Sequence, residues 1–398
     1  MRLRHVLLVA QLSLWSVAVF GHGKVDGPVA YNDRMIEFPD TDNHLTLVVD
    51  LHTHSVFSDG HVWPVIRVEE ALRDGLDGIA ITEHLEWQPH LKDIPHPDRN
   101  RAYEEAKKAA NNRDIIVISG GEITRRMPVG HMNAVFLTNA NSLLDMTKAL
   151  SQERDTDKFY RKSRKWPAQK AVKAANDQGA FVFWNHPAWY AQSPKGVPVI
   201  TEFQLKQIKE QKLHGIEVIN TGDYSEEALQ IALDHNLTIM GTSDVHDLIE
   251  WDFTKKGVHR PITLVFAEQR DAASVRKALF EGKTVAVFNH LFVGKSEFLV
   301  PLIEASVVLS DAKYIPNTEI LEVTLNNTTS SNLLFENQMP YTFYHHAPVF
   351  EIPAQGSIKL QIKTGEKLDE FTLRLKALKA YSAPKTQVVA EWKIIPLH

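Results

Sequence analysis

Between residues 45 and 246 short apolar runs alternate with charged, helix-like stretches, and run after run ends on a histidine or an acid. Residues 45–52 close on Asp50-Leu51-His52, 76–82 lead into Glu83-His84, and 115–119 into Gly120-Gly121-Glu122. Further on, 132–137 follow Gly130-His131, 181–184 lead into Asn185-His186-Pro187, and 237–240 into Gly-Thr-Ser-Asp-Val-His at 241–246. A run at 215–219 carries Glu217 and ends at Asn220. The stretches between read as helices. Pro64 sits at a first helical position and opens one through Arg73, which Gly75 ends. Residues 99–111, 167–177 and 203–212 give three more, and Ser225 caps another through His235, with Glu226 and Glu227 placed to suit the helix dipole. Strands at 262–267 and 284–288 then flank a helix over 272–281 capped by Asp271.

The runs are apolar throughout rather than alternating, the pattern of strands buried on both faces. Strand–helix alternation implies parallel strands joined by right-handed crossovers. About seven to nine such strands suit a closed (β/α) barrel better than an open doubly wound sheet. No Gly-rich dinucleotide fingerprint follows the first strand, which weakens the open-sheet alternative.

In a parallel barrel the active site lies at the carboxyl ends of the strands. That is where the histidines and acids fall. Asp50, His52 and His54 alternate along one strand and share a face, and Asp59 returns from the loop that follows. His84 ends the second run and Glu122 the third; His131 lies beyond Glu122; His186 ends a later run; Asp244 and His246 repeat the spacing of His52 and His54. There is no cysteine among the 398 residues but there are 19 histidines. Disulfides, zinc–thiolate sites, cysteine nucleophiles and a lipoprotein anchor are thereby excluded, and a transition-metal site must use imidazole and carboxylate. Nine such ligands exceed what one tetrahedral ion uses. They imply two or three ions close together, with Glu122 the natural bridge. Asp50 either accepts the other N–H of a ligand imidazole or pairs elsewhere in the barrel. Arg125, Arg126 and Arg260 lie near the ligand loops, where they could hold phosphate oxygens, but each reads first as a solvated surface arginine. Trp87, Trp189 and Tyr190 flank His84 and His186, as loop packing or as walls of an apolar leaving-group pocket.

Net charge is −5, which argues against an electrostatic nucleic-acid partner, since phosphate-tracking surfaces are basic. Residues 1–21 read as a cleaved secretory signal peptide: Arg2 and Arg4, an apolar stretch over 6–20, then Val19 and Gly21 near the cut. The stretch is short for a bilayer span of about 20 apolar residues, so the expected location is periplasmic or secreted, with no membrane span after cleavage. Residues 22–43 are an irregular lead-in segment. From about residue 295 to 398 the pattern changes. Leu321/Val323/Leu325, Ile358/Leu360/Ile362 and Phe371/Leu373/Leu375 alternate with polar residues, the period of half-buried strands. Turn residues separate them, so this part predicts strands alone, a small all-β, sandwich-like domain of unknown partner. His345-His346 reads as surface.

The run Asp-Leu-His-Thr-His-Ser-Val-Phe-Ser-Asp-Gly at 50–60, then Ile-Thr-Glu-His, Gly-Gly-Glu, Asn-His-Pro and Ser-Asp-Val-His, resembles the polymerase-and-histidinol-phosphatase (PHP) superfamily. Residues 61–110, with Trp63-Pro64 and Trp87-Gln88-Pro89-His90, further resemble its exported Sb-PDE-type phosphodiesterases. The resemblance implies a distorted (β/α)₇ barrel over 44–294 binding up to three divalent ions, Mn²⁺, Zn²⁺ or Fe²⁺. It implies His52, His54, Glu122 and Asp244 around a first ion, Glu122, His131 and His186 around a second, and Asp59, His84 and His246 around a third. Glu122, Asp244 and His246 are the expected catalytic members. The implied activity is hydrolysis of a small-molecule phosphodiester. A phosphomonoesterase is the nearest rival. An amidohydrolase also begins with His-x-His, but usually bridges its metals with a carboxylated lysine, where this chain has Glu122. A non-catalytic metal-binding or adhesion protein is the remaining alternative.

Overall fold

The computed structural model describes residues 34–145 and 147–397. The signal-peptide reading of 1–21 and the start of the lead-in segment, 22–33, lie outside the described residues. Seven strands make the barrel: β1 (Leu45–Asp50), β2 (Gly78–Ile81), β3 (Ile116–Ile123), β4 (Met132–Val135), β5 (Phe181–Trp184), β6 (Gly215–Asn220) and β7 (Thr238–Thr242). β1, β2 and β3 pair in parallel, as do β5, β6 and β7. The ring closes at the carboxyl-end rim. There Thr53 bridges Val245, the Asp244 N–H donates to His52 O at 2.9 Å, and the His54 N–H donates to Val245 O at 3.1 Å. Leu47, Val49, Leu51, Ile118, Phe181, Phe183 and Met240 are buried in one apolar cluster within it.

Uniformly parallel strands are not what the chain forms. β4 runs antiparallel to both β3 and β5. The link between Ile123 and Met132 is too short for a helical crossover, which needs about a dozen residues, so the chain turns straight back. Because β4 is still buried along its length, its composition matches a parallel strand and hides its direction. Three more antiparallel strands follow: β8 (Ile262–Ala267) on the outer edge of β1, β9 (Thr284–Phe288) on β8, and β10 (Leu291–Gly294) on β9. β8 meets β7 through a side chain. The Thr263 hydroxyl accepts from Gly241 N–H at 3.0 Å and donates to Gly241 O at 2.8 Å. A Cβ on Gly241 would lie 2.6 Å from Ile262 O, so only glycine permits this approach.

The helices sit where the caps put them. Pro64–Arg73 begins on its proline, Ser225 caps Glu226–Asp234 and Asp271 caps Ala272–Phe280. Beyond residue 295 one element departs from the reading of strands alone: Ser296–Ser306 is a helix. Pro301 inside it and the unbroken apolar stretch 298–303 conceal its period, although Leu299, Leu302, Ile303 and Ser306 are the buried positions. The remaining strands form a sandwich. β11 (Val307–Tyr314), β12 (Ile320–Asn327) and β15 (Ser357–Lys363) make one sheet, with the two-residue strand Thr342–Phe343 on its edge; β13 (Leu333–Asn337), β14 (Val349–Ile352), β16 (Phe371–Ala383) and β17 (Thr386–Ile394) make the other. β16 pairs in parallel with β10, so the second sheet continues that of the barrel. Val285, Val287 and Phe292 accordingly share a buried cluster with Leu321, Phe335, Leu360 and Leu373.

Candidate metal centre

All nine sequence-nominated side chains meet at the carboxyl-end rim. His52 Nε2 lies 3.0 Å from His54 Nε2, 3.1 Å from Glu122 Oε2 and 3.1 Å from Asp244 Oδ1. His54 Nε2 is also 3.1 Å from Asp244 Oδ1. His84 Nδ1 is 3.2 Å from Glu122 Oε2, and its Nε2 is 3.4 Å from Asp59 Oδ2. His246 Nε2 is 3.2 Å from Asp59 Oδ1, and His186 Nε2 is 3.8 Å from Asp244 Oδ2. His131 Nδ1 and Glu122 Oε1 come within 2.5 Å of each other. Yet His131 Nδ1, Glu122 Oε1 and Asp59 Oδ1 are all buried without a hydrogen-bond partner. Lone-pair atoms that crowd together but do not hydrogen-bond are aimed at a common point. Such donors, nitrogen and carboxylate oxygen only, suit divalent ions.

Four groups have ligand atoms mutually close enough to hold an ion: His54 with Asp59, His84 and His246; His52 with His54 and Asp244; His52 with Glu122 and His186; His84 with Glu122 and His131. The resemblance puts His131 and His186 together. Here their rings do lie close, with centroids 5.1 Å apart, and Glu122 shares a possible ligand group with each. His54 likewise faces two ways, Nε2 to Asp244 and Nδ1 to Asp59 at 3.9 Å.

Other buried groups hold this geometry. Glu217 Oε1 accepts from His52 Nδ1 at 2.8 Å and from the Thr242 hydroxyl at 2.6 Å, while its Oε2 accepts from His186 N–H at 2.6 Å. Glu83 accepts from the Ser55 N–H and hydroxyl and from the Ser58 hydroxyl, which fixes the loop to Asp59. Within that loop a Cβ on Gly60 would meet His54 backbone atoms at 2.8 Å. Arg67, fully buried, donates to the carbonyls of His54 (2.7 Å), His246 (2.8 Å) and Asp247 (2.7 Å), and so ties the two ligand loops together. His186 (φ +28°) and Asp244 (φ +52°) sit in the left-handed region, strain of order 1–3 kcal/mol each of the kind that accumulates at functional sites.

A family model described as a PHP domain matches residues 50–182, and one described as an Ig-like domain matches 307–393. A solved structure from Bacteroides vulgatus, a two-domain protein containing a predicted PHP-like metal-dependent phosphoesterase, is 33% identical with a TM-score of 0.78. The match covers 90% of this chain and 98% of that one. The chain belongs to the PHP family. A structure described as a putative metal-dependent phosphoesterase, from Bifidobacterium adolescentis (23% identity; 50% of this chain, 87% of that chain), has a TM-score of only 0.36. An amidohydrolase from Chromobacterium violaceum (16% identity; 50% of this chain, 87% of that chain) reaches 0.32. Neither bears on the fold at that score. No curated protein matches the chain.

The electrostatics of this PHP site are those of a cluster poised between protons and cations. Burial alone would depress His52 and His84, but Asp244 and Glu217 beside the first, and Asp59 and Glu122 beside the second, hold both well above the usual 6.5. Burial and the neighbouring His246 and His84 push His54 down to about 3. Burial likewise carries His186 to about 3, although Asp244 opposes it. Glu122 stays well below the ordinary carboxylate range: burial would raise it, but His84 and His131 outweigh that.

Arg260 and Arg125 lie elsewhere than expected, whereas Asp50 and Trp87 follow readings that the sequence left open. Asp50 does not touch a ligand ring; its Oδ2 accepts from the Ser243 hydroxyl at 2.6 Å and from Arg260 at 3.3 Å. Arg260 is buried rather than solvated, bound to Asp74 at 2.7 Å. Arg125 is buried too, paired with Glu86, because each carboxylate offsets the cost of burying its arginine. Trp87 packs against Tyr160, whereas Trp189 stands beside His131 and His186. The residues that sequence reasoning passes over are Glu217, Glu83 and Arg67. Glu217 left a signal, an acid within an otherwise apolar run, since a charge there must be paired.

Proposed function

We propose that this PHP protein is a metal-dependent phosphoesterase whose preferred substrates are phosphodiesters. The observation that carries the reading is the convergence of nine histidine and carboxylate side chains on shared points, with lone-pair atoms of Glu122, His131 and Asp59 buried and unpartnered. Bound divalent ions supply Lewis acidity there, lowering the pKa of water and neutralising charge on phosphoryl oxygens. Two or three ions of the Mn²⁺, Zn²⁺ or Fe²⁺ kind suit the donor set. Glu122, fully buried, turns Oε2 to His52, His54 and His84 and Oε1 to His131, and keeps its charge because these four imidazoles surround it. His52, His54 and Asp244 hold one flank; Asp59, His84 and His246 hold the other. Glu217 orients His52 and keeps its Nε2 facing the cluster. No serine or cysteine nucleophile is required.

Three lines support the diester preference and export: the resemblance of residues 61–110 to exported Sb-PDE-type phosphodiesterases, the organic-group cavity described below, and the basic-then-apolar start at residues 2–20. No described helix is long and apolar enough to cross a membrane. The test compares bis(4-nitrophenyl) phosphate with 4-nitrophenyl phosphate after separate loading with Mn²⁺, Zn²⁺ or Fe²⁺, against a chelated control. Faster, chelator-sensitive diester turnover is the expected result. Preference for the monoester would make the protein a phosphatase, and no turnover of either with metal bound would overturn the phosphoesterase reading.

A further inference from the structure

A cavity of about 260 Å³ opens beside His186, between the loop after β5 and the hairpin after β6. Its wall is aromatic, built by Trp189, Tyr190 and Tyr224 with Pro187. The Trp189 ring lies 5.2 Å from that of His186 and 5.6 Å from that of His131, so the cavity begins where the ligand cluster ends. Trp189 is 40% exposed and Tyr190 73%. Two large rings held in water side by side, at the edge of a polar site, are surface that a ligand covers with gain. The polar part of the lining is Asn220, Thr221, Asp223 and Ser225, with Glu217 behind; no lysine or arginine lines it. A second anionic group would meet Asp223 without a compensating cation, whereas an uncharged ring meets aromatic faces.

The wall is also braced. Thr221, at the turn, has φ +52°, a conformation the surrounding packing must hold. Tyr224 stacks on Tyr381 of β16 at 6.2 Å and 27°, so the sandwich domain backs the cavity. A larger cavity of about 380 Å³, near Arg34, Asp74 and Arg260, differs in this respect: its buried arginine is already satisfied by Asp74 and Asp50.

We propose that the cavity beside His186 is the subsite for one esterified group of the substrate, and that it accepts an uncharged aromatic ring. The inference rests on the phosphoesterase reading of the neighbouring cluster and narrows its substrate class to aryl or similarly planar esters. Phenylphosphonate and methylphosphonate separate the two questions, because neither is hydrolysed and they differ only in the ring. Titrated calorimetrically into the Mn²⁺-loaded protein, phenylphosphonate should bind on the order of tenfold tighter, the scale of one ring entering an aromatic pocket. Trp189→Ala should bring the two affinities within about threefold of each other. Trp189 is exposed, so its replacement spares the core, and a thermal melt verifies this. Tyr224→Leu provides a second variant, expected to narrow the ratio likewise. Equal affinities in the parent protein, with bis(4-nitrophenyl) phosphate still turned over, would overturn the subsite alone. Loss of the phenyl preference in neither variant would also overturn it. No phosphonate binding and no ester turnover would overturn the phosphoesterase reading instead.

Discussion

Glu122 and Glu217 are both buried acids beside His52, yet they serve different ends. Glu122 faces ring nitrogens of four imidazoles and carries an oxygen with no hydrogen-bond partner, whereas every contact of Glu217 is a hydrogen bond it accepts. Glu122→Gln should therefore abolish binding of at least one ion, with the fold retained by circular dichroism and the loss read by metal analysis. Glu217→Gln should weaken metal affinity about 10–100-fold, the usual effect of losing a partner that orients a ligand histidine. Full metal retention in Glu122→Gln would remove it from the bridge. Acid should act in the same direction as both variants. His52 and His84 are held protonated to above the usual 6.5 by their carboxylates, and each must release a proton before binding an ion. Metal affinity should thus be greatest on the alkaline side and fall as pH drops. With two protons displaced, the fall below those pKa values is about a hundredfold per pH unit. A competition titration with a chromophoric chelator from pH 8.5 to 5.5 measures it.

At the scale of elements, the clamp made by the first barrel helix decides whether the ligand loops coincide. Pro64–Arg73 presents Arg67 to the carbonyls of His54, Val245, His246 and Asp247, and Glu70 neutralises it at 2.8 Å while accepting from Ile249 N–H. Arg67→Met would fill the space but take a donor from four carbonyls, those of His54 and Asp247 losing the one they have, and leave Glu70 an unpaired buried charge. The expected loss is about 3–5 kcal/mol, a drop in Tm of roughly 5 °C for a chain of this size. Because the clamp joins the loop of His54 to that of His246, metal affinity should fall with it. Unchanged Tm and unchanged metal content would show that the loops hold themselves.

Over the whole molecule, barrel and sandwich are not separable parts. β10 pairs with β16, the helix Ser296–Ser306 buries Leu299, Leu302 and Ile303 in a cluster shared by both parts, and that cluster runs from Val285 to Trp392. Cutting the chain after residue 295 would expose Phe292 and the edge of β10 to water, an apolar patch and an open strand edge at once. Such a shortened protein should be insoluble or fail to show a cooperative melt. A soluble, metal-binding fragment 34–295 would overturn this view and make the sandwich an accessory.

What the sequence alone determined was the kind of site and the elements that carry it. Apolar runs can end repeatedly on histidines and acids only if those ends are gathered in one place, and the nine nominated side chains lie together. Caps and prolines likewise located the helices, since Ser225, Asp271 and Pro64 act through bonds within a few residues. Tertiary structure decided what depends on contacts far apart in the chain. Whether β4 runs parallel follows from how its short link closes, while its burial looks the same in either direction. That Asp50 turns to Arg260 and Glu217 turns to His52, rather than the reverse, depends on partners some 160 to 210 residues away. A buried charge announces that it needs a partner, and only the folded chain says which one it finds.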